Sequence, residues 1–244
     1  MPRFFVNSDA VTENGIVISG NDAFHIARSL RMALGDEVTV CDDMGAEYSC
    51  ILKKIRDTEC HLEILDKKEG VGEPPLEIAL YMGYPKGDKL EVVVQKAVEL
   101  GAISVVPFES SRCVKRPSGD RVEKQTARLQ RIAEEAAKQC GRARIPRVMP
   151  PLKYSEMLTA AKSRDLVLFC YEGDGTLSLK KALADSKKAS SLSIVVGSEG
   201  GFSPEEAESA RECGHTLVNL GPRILRCETA PLYALSAISY ELEL

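Results

Sequence analysis

Three stretches of this chain gather the residue types that a ligand-reading pocket needs: CYEGDGT at 170–176, VGSEGGFSPEE at 196–206 and LGPRILRCET at 220–229. Glycine lets a ligand approach the main chain closely and admits positive φ. An arginine among exposed peptide groups can stabilise negative charge that develops during a reaction. Arg226 is the arginine beside these loops, and Glu172 and Glu199 could form a carboxylate pair, with nothing else pointing to glycoside chemistry. Taken singly, each stretch reads equally well as a tight strand-to-helix turn. Several familiar chemistries drop out: there is no G-x-x-x-x-G-K-[ST], no G-x-G-x-x-G after the first strand of the second segment and no G-x-S-x-G, so Ser198 lacks the setting of a hydrolase nucleophile.

The elements that must position these stretches follow from apolar patterning. From residue 75 onward, apolar runs (LEIALYMG, ISVVPFE, DLVLFCY, LSIVVG, HTLVNLG) alternate with amphipathic segments near 87–100, 120–140, 154–163, 177–185, 203–213 and 229–242. That alternation predicts an α/β domain with a parallel sheet covered by helices on both faces. Ligands bind such sheets beyond the carboxyl ends of the strands, and all three glycine-bearing stretches fall there. Ser203, Pro204 and Glu206 predict a capped helix start. Before a Gly-, Pro- and charge-rich stretch at 66–75, short β-branched and aromatic runs predict a small β-barrel at 1–70, leaving 75–244 to the α/β domain. One helix interrupts the barrel, NDAFHIARSLRM, whose Phe24, Ile26 or Ala27, Leu30 and Ala33 or Leu34 have core spacing while Arg28 and Arg31 share another face.

Charge is unevenly spread. Net charge is −4, yet residues 112–147 hold eleven Lys or Arg against four acids, a local +7 that leaves −11 for the rest. Such a segment either meets a polyanion or forms a solvated basic face. The eight cysteines show no C-x-x-C pair, and His25, His61 and His215 have no metal spacing, so buried reduced thiols and no metal site are expected. No apolar run is long enough to span a bilayer and MPRFFVNSDA lacks a signal-peptide core, so no membrane partner and a cytoplasmic location are expected.

VGSEGGFSPEE and LGPRILRCETAPLYAL together resemble the C-terminal signature of the SPOUT-class RNA methyltransferases, in particular the RsmE type that methylates N3 of a uridine in 16S ribosomal RNA. PRFFV, HIARSLRMALGD at 25–36, PKGDKLEVVVQKAVELGAISVVPFESSRCV at 85–114 and RLQRIAEEAAKQCGR at 128–142 resemble segments of that family in the same order.

The resemblance implies a PUA-like N-terminal β-barrel, a C-terminal domain with a deep trefoil knot, S-adenosylmethionine as cofactor, 16S rRNA of the small ribosomal subunit as partner, and a homodimer. It places the cofactor on Gly197, Glu199, Gly200, Gly201, Leu220, Gly221, Ile224, Leu225, Arg226, Thr229 and Ala230, with Phe169, Cys170 and Tyr171 as a further wall. RNA contacts are expected from Arg3, Arg28, Arg31, Arg112, Lys115, Arg116, Arg142 and Arg144. Three positions depart from the usual pattern: Ser198 replaces a common proline, Cys227 a common threonine and Lys138 a common glutamate.

Within that frame Arg226 stabilises charge on a uracil carbonyl oxygen, or else forms a salt bridge to Glu228; Glu199 accepts a proton, or else anchors a helix N-terminus. Two rival readings stay open: another SPOUT enzyme acting on ribose 2′-OH or on tRNA, and a noncatalytic RNA-binding assembly protein.

Overall fold

The computed structural model describes every residue except 71, 115–118, 120, 187 and 244. It divides into two compact units, Met1–Glu73 with Ala137–Ile145, and Pro74–Ala136 with Pro146–Leu244.

The first unit is built on one six-stranded sheet. Its strands are β1 (Arg3–Val6), β2 (Val11–Thr12), β3 (Gly15–Ser19), β4 (Glu37–Asp42), β5 (Ala46–Ile55) and β6 (Glu59–Glu69), ordered β1-β4-β5-β6-β3-β2. Only the β1–β4 pair is parallel. The two-residue period of a strand sends Ala46, Tyr48, Cys50 and Leu52 of β5 inward, where they join Phe4, Ile16, Ile18, Val38 and Val40 in one core.

The interrupting helix is shorter than its apolar spacing predicts. Helix α1 (Gly20–Phe24) runs into a wider turn over His25–Ser29; of the expected core positions only Ile26 is buried, joined there by Ala23, which the spacing did not select. Phe24, Leu30 and Leu34 are exposed. Arg31 has φ 52°, so the chain has left helical geometry there and Arg28 and Arg31 do not share a helical face.

The second unit carries a parallel sheet of β7 (Glu77–Gly83), β8 (Ala102–Glu109), β9 (Arg147–Val148), β10 (Leu152–Lys153), β11 (Leu166–Cys170), β12 (Leu177–Ser178), β13 (Ser191–Val196) and β14 (Thr216–Asn219). Its order is β10-β8-β7-β13-β11-β14-β12, with β9 beside β8, and every pair is parallel. Helices α2 (Lys89–Glu99), α3 (Arg121–Cys140), α4 (Tyr154–Ala161), α5 (Leu179–Ala184), α6 (Pro204–Glu212) and α7 (Thr229–Leu242) connect the strands, the last turn of α3 belonging with the first unit. Strands buried on both faces read as continuous apolar runs, which is why LEIALYMG and LSIVVG were recognisable. The expected cap of α6 is present: Ser203 Oγ accepts from the Glu206 amide at 3.2 Å and Glu206 Oε2 from the Ser203 amide at 2.9 Å.

One feature of the order decides where chemistry can happen. β11 lies between β13 and β14, pairing Phe169 with Val195 and Cys170 with Val218. The three glycine-bearing stretches therefore leave neighbouring strands at one edge of the sheet. Among the described residues no helix is long and apolar enough to cross a membrane, and no group of three or more His, Cys, Asp or Glu could hold a metal.

Candidate active site

The loop after β13 is set by close packing. Gly201 has φ 61° and donates its amide to the Ser198 carbonyl at 2.9 Å, a tight turn. A β-carbon on Gly197 would lie 3.0 Å from Gly201 Cα and 3.2 Å from Phe202 Cε2, and one on Gly200 would lie 2.8 Å from Arg112 Cβ. Gly83, at the end of β7, has even less room: a β-carbon there would stand 2.4 Å from the Ser198 amide nitrogen. Gly83 belongs to the site's framework and was missed because it closes an ordinary apolar strand; glycine as the last strand residue was its one signal.

Glu199 is held from the other side. Its carboxylate accepts the Lys86 amide at 3.1 Å and the Lys89 ammonium at 3.0 Å. Partial burial alone would raise its pKa, but its own amide, Lys89 and Lys86 hold the carboxyl below the ordinary glutamate value. The proton-acceptor role expected of Glu199 is corrected accordingly: both the ion pair and the lowered pKa make it a poor base, and it serves as an anchor for the segment leading into α2.

The last loop contains the site's open groups. Gly221 has φ 102°, with nothing within 4 Å of where a β-carbon would sit. Its amide donates to Asn219 Oδ1 at 3.2 Å, and the Thr229 and Ala230 amides return to the Arg226 carbonyl at 2.8 and 2.9 Å. Between these ends the amides of 223–227 donate to no other described residue. Leu220 and Leu225 are half-buried, Ala230 buried, Thr229 exposed and Ile224 89% exposed.

Arg226 is exposed, and among the described residues its guanidinium has no ion pair. The alternative salt bridge to Glu228 is not made, because Glu228 pairs with Lys89 at 3.3 Å. Cys227 donates its thiol to Glu228 Oε2 at 3.2 Å, and burial first, then Glu228, pushes its pKa up to about 12. The departure from threonine thus leaves a protonated weak donor in place.

The third wall is corrected in part. Phe169 is fully buried, its ring 4.2 Å from that of Phe202, so its side chain serves the core. Cys170 is buried, its thiol raised to about 12 by that burial, while Tyr171 is half-buried and tied through its amide to the Val218 carbonyl at 2.9 Å. Glu172 lies against Gly201, where a β-carbon would be 2.9 Å from its carboxylate.

The expected RNA-contacting arginines separate into two groups. Arg142 is 3% exposed and pairs with Glu73 at 2.7 Å; Arg3 pairs with Glu47 at 2.7 Å with both side chains largely covered. These two are corrected: they are internal ties of the first unit and do not face solvent. Arg28, Arg31, Arg112 and Arg144 are exposed, Arg28 paired with Asp57 at 2.5 Å, Arg112 bonded to the Gly200 carbonyl at 3.2 Å and Arg144 to the Met44 carbonyl at 2.7 Å. Lys115 and Arg116 lie outside the described residues.

Comparison with known proteins agrees with this architecture. Residues 72–239 match the family model of the RNA methyltransferase domain, and residues 18–65 that of the RNA methyltransferase PUA domain. Ribosomal RNA small subunit methyltransferase E of Bacillus subtilis is 38% identical over 231 residues, covering 93% of this chain and 90% of that protein. The enzyme of the same name from Synechocystis is 30% identical, covering 99% of this chain and 78% of that one. Among solved structures, a ribosomal RNA small subunit methyltransferase E from Neisseria gonorrhoeae bound to S-adenosyl methionine superposes with a TM-score of 0.86 at 30% identity, covering 99% of this chain and 98% of that one. With a parallel α/β sheet whose loops converge at one edge, and a PUA domain before it, this chain belongs to the RNA methyltransferase family of the ribosomal RNA small subunit methyltransferases E.

Proposed function

We propose that this protein methylates N3 of one uridine in 16S rRNA of the small ribosomal subunit, with S-adenosylmethionine as methyl donor. The observation that carries this reading is Arg226, an exposed guanidinium with no ion pair among the described residues, set in a run of peptide groups that have no partners among those residues. That run fits the cofactor: unpaired amides suit the edge of an adenine, and the glycines at 197, 200 and 201 keep side chains off the adjoining wall. Gly197, Gly200, Gly201, Leu220, Gly221 and the backbone of 224–226 would hold it, with Cys170, Tyr171, Thr229 and Ala230 flanking and Glu199 anchoring the loop. When bound, S-adenosylmethionine supplies the electrophilic methyl group.

This chain's residues then have two tasks. The loops align donor and acceptor, since a displacement of this kind depends chiefly on orientation. Arg226 stabilises negative charge on a uracil carbonyl oxygen as the N3 proton passes to solvent water and the N3 lone pair takes the methyl group, and a cation placed at developing charge has a large effect on rate. The target uridine is splayed from its stack to reach the pocket.

RNA is held by the exposed Arg31, Arg112 and Arg144, joined by Arg28 when phosphate displaces Asp57. Lys115 and Arg116 are assigned the same role from sequence. The protein acts in the cytoplasm as a homodimer, a two-fold arrangement that repeats the basic segment. A trefoil knot in the second unit is part of the same reading, carried over from the resemblance of the last two loops to the SPOUT class. Domain boundaries at 70 and 75 carry the division between RNA-binding and methyl-transfer parts, Ala137–Ile145 rejoining the former.

The test is direct. Purified protein is incubated with labelled S-adenosylmethionine and undermethylated small subunits, and the digested RNA is analysed by mass spectrometry. N3-methyluridine at a single site is the expected product. A methylated ribose or another base would move the specificity, and cofactor binding without transfer to any ribosomal RNA would overturn the catalytic reading.

A further inference from the structure

Lys89 lies outside the three glycine-bearing stretches, yet from the first turn of α2 its ammonium reaches two of them. It stands 3.0 Å from Glu199 Oε1, 3.3 Å from Glu228 Oε2 and 3.8 Å from Cys227 Sγ. Glu199 belongs to the loop after β13, whereas Cys227 and Glu228 close the loop after β14 and lead into α7. β11 lies between those two strands, so they share no hydrogen-bond ladder. A single cation therefore ties together two loops that the sheet itself does not join directly.

We propose that Lys89 is a positioning residue for the cofactor: it holds the Gly197–Gly201 loop and the 220–228 loop at a fixed separation, so that affinity for S-adenosylmethionine depends on it. The inference rests on the functional reading above. Three features of the surroundings support a positioning role. Two carboxylates share one ammonium, so each loses its cation if the lysine is lost, Glu199 keeping only the Lys86 amide and Glu228 the Cys227 thiol, and their mutual repulsion is then unscreened. Hydrogen bonding to Glu199 first, and further contacts with Cys227 and Glu228, raise the Lys89 pKa, so it stays charged wherever the enzyme works. Finally, the loop amides of 223–227 have no partners among the described residues, and the contacts of Glu228 and Cys227 with Lys89 are a direct tie from this loop to α2.

The experiment compares wild type, Lys89→Met, Lys89→Arg and Glu228→Gln by calorimetric titration with S-adenosylmethionine and by steady-state kinetics on undermethylated small subunits. Lys89→Met is expected to raise Kd and KM for the cofactor about tenfold, with KM for RNA and kcat at saturating cofactor near wild type. Lys89→Arg restores most of the affinity, and Glu228→Gln gives a smaller loss because the Glu199 contact remains. Wild-type cofactor affinity in a folded Lys89→Met protein overturns the proposal. Should Lys89→Met not fold, Lys89→Arg and Glu228→Gln decide: wild-type affinity in Glu228→Gln overturns the proposal, whereas a loss there with most of the affinity kept in Lys89→Arg supports it. If wild type itself neither binds the cofactor nor methylates RNA, the functional reading fails before the role of Lys89 is reached.

Discussion

Gly83 ends β7 and Ser198 follows the end of the neighbouring β13, and the two meet there: a β-carbon on Gly83 would lie 2.4 Å from the Ser198 nitrogen and 2.8 Å from the Gly197 carbonyl carbon. The floor of the candidate site is thus made by main chain lying on main chain. Gly83→Ala is expected to push the 197–201 loop outward. Overpacking of this kind costs about 1–3 kcal/mol. A lower Tm together with weaker S-adenosylmethionine binding in calorimetry is the expected result; a variant with wild-type affinity would show that the loop tolerates displacement.

Arg226 offers a sharper kinetic test. Its guanidinium supports neither the core nor an ion pair among the described residues, so Arg226→Ala should fold normally. Loss of a preorganised cation at a developing charge lowers kcat by roughly 10²–10³. Single-turnover methylation with saturating cofactor measures that step, and full turnover in the variant would remove Arg226 from the chemistry.

Arg142 and Glu73 make a stability prediction in the first unit. Glu73→Ala leaves a guanidinium that is 3% exposed without its carboxylate, and it also removes the acceptor for the Ala143 and Arg144 amides, bonded to Glu73 at 3.0 and 2.9 Å. Breaking a buried pair from one side costs on the order of 3 kcal/mol. Urea unfolding should show the midpoint falling well below wild type. A salt titration of RNA binding by an Arg142→Gln protein, kept folded at low temperature, should retain the wild-type slope, because this arginine does not face phosphate.

The cysteines provide a chemical readout. Burial raises the thiols of Cys170 and Cys227 to about 12, so their thiolates form only as pH approaches that value, and near pH 8 both stay protonated. Cys140 is exposed. Brief treatment with iodoacetamide at pH 8 should therefore alkylate Cys140 and spare Cys170 and Cys227, as read by peptide mass spectrometry. Rapid labelling of Cys227 would mean that the last loop opens readily.

Much of the second unit could be read from the chain. Runs such as ISVVPFE became β8 within a residue, and Ser203, Pro204 and Glu206 marked the start of α6, because burial on both sheet faces and helix capping are local and leave local signatures. The three glycine loops were legible for the same reason. Lys89 was not, since its partners are 110 and 139 positions away and only the strand order brings them together. Arg142 was misread because composition makes every arginine look like surface until a buried carboxylate is found beside it. Phe24, Leu30 and Leu34 had core spacing, but the helix that would use it stops after five residues and widens, turning those side chains outward.

The unpartnered amides of 223–227 have a consequence for the clock of hydrogen exchange. Protons within the parallel sheet leave only when a whole ladder opens, whereas these five amides have no hydrogen bond to break among the described residues. The exposed part of the loop therefore exchanges much faster than the sheet, where Val195 and Val218 retain their protons. Whatever ligand seats itself on the loop writes its own outline as slowed exchange, peptide by peptide, against a background that begins near zero.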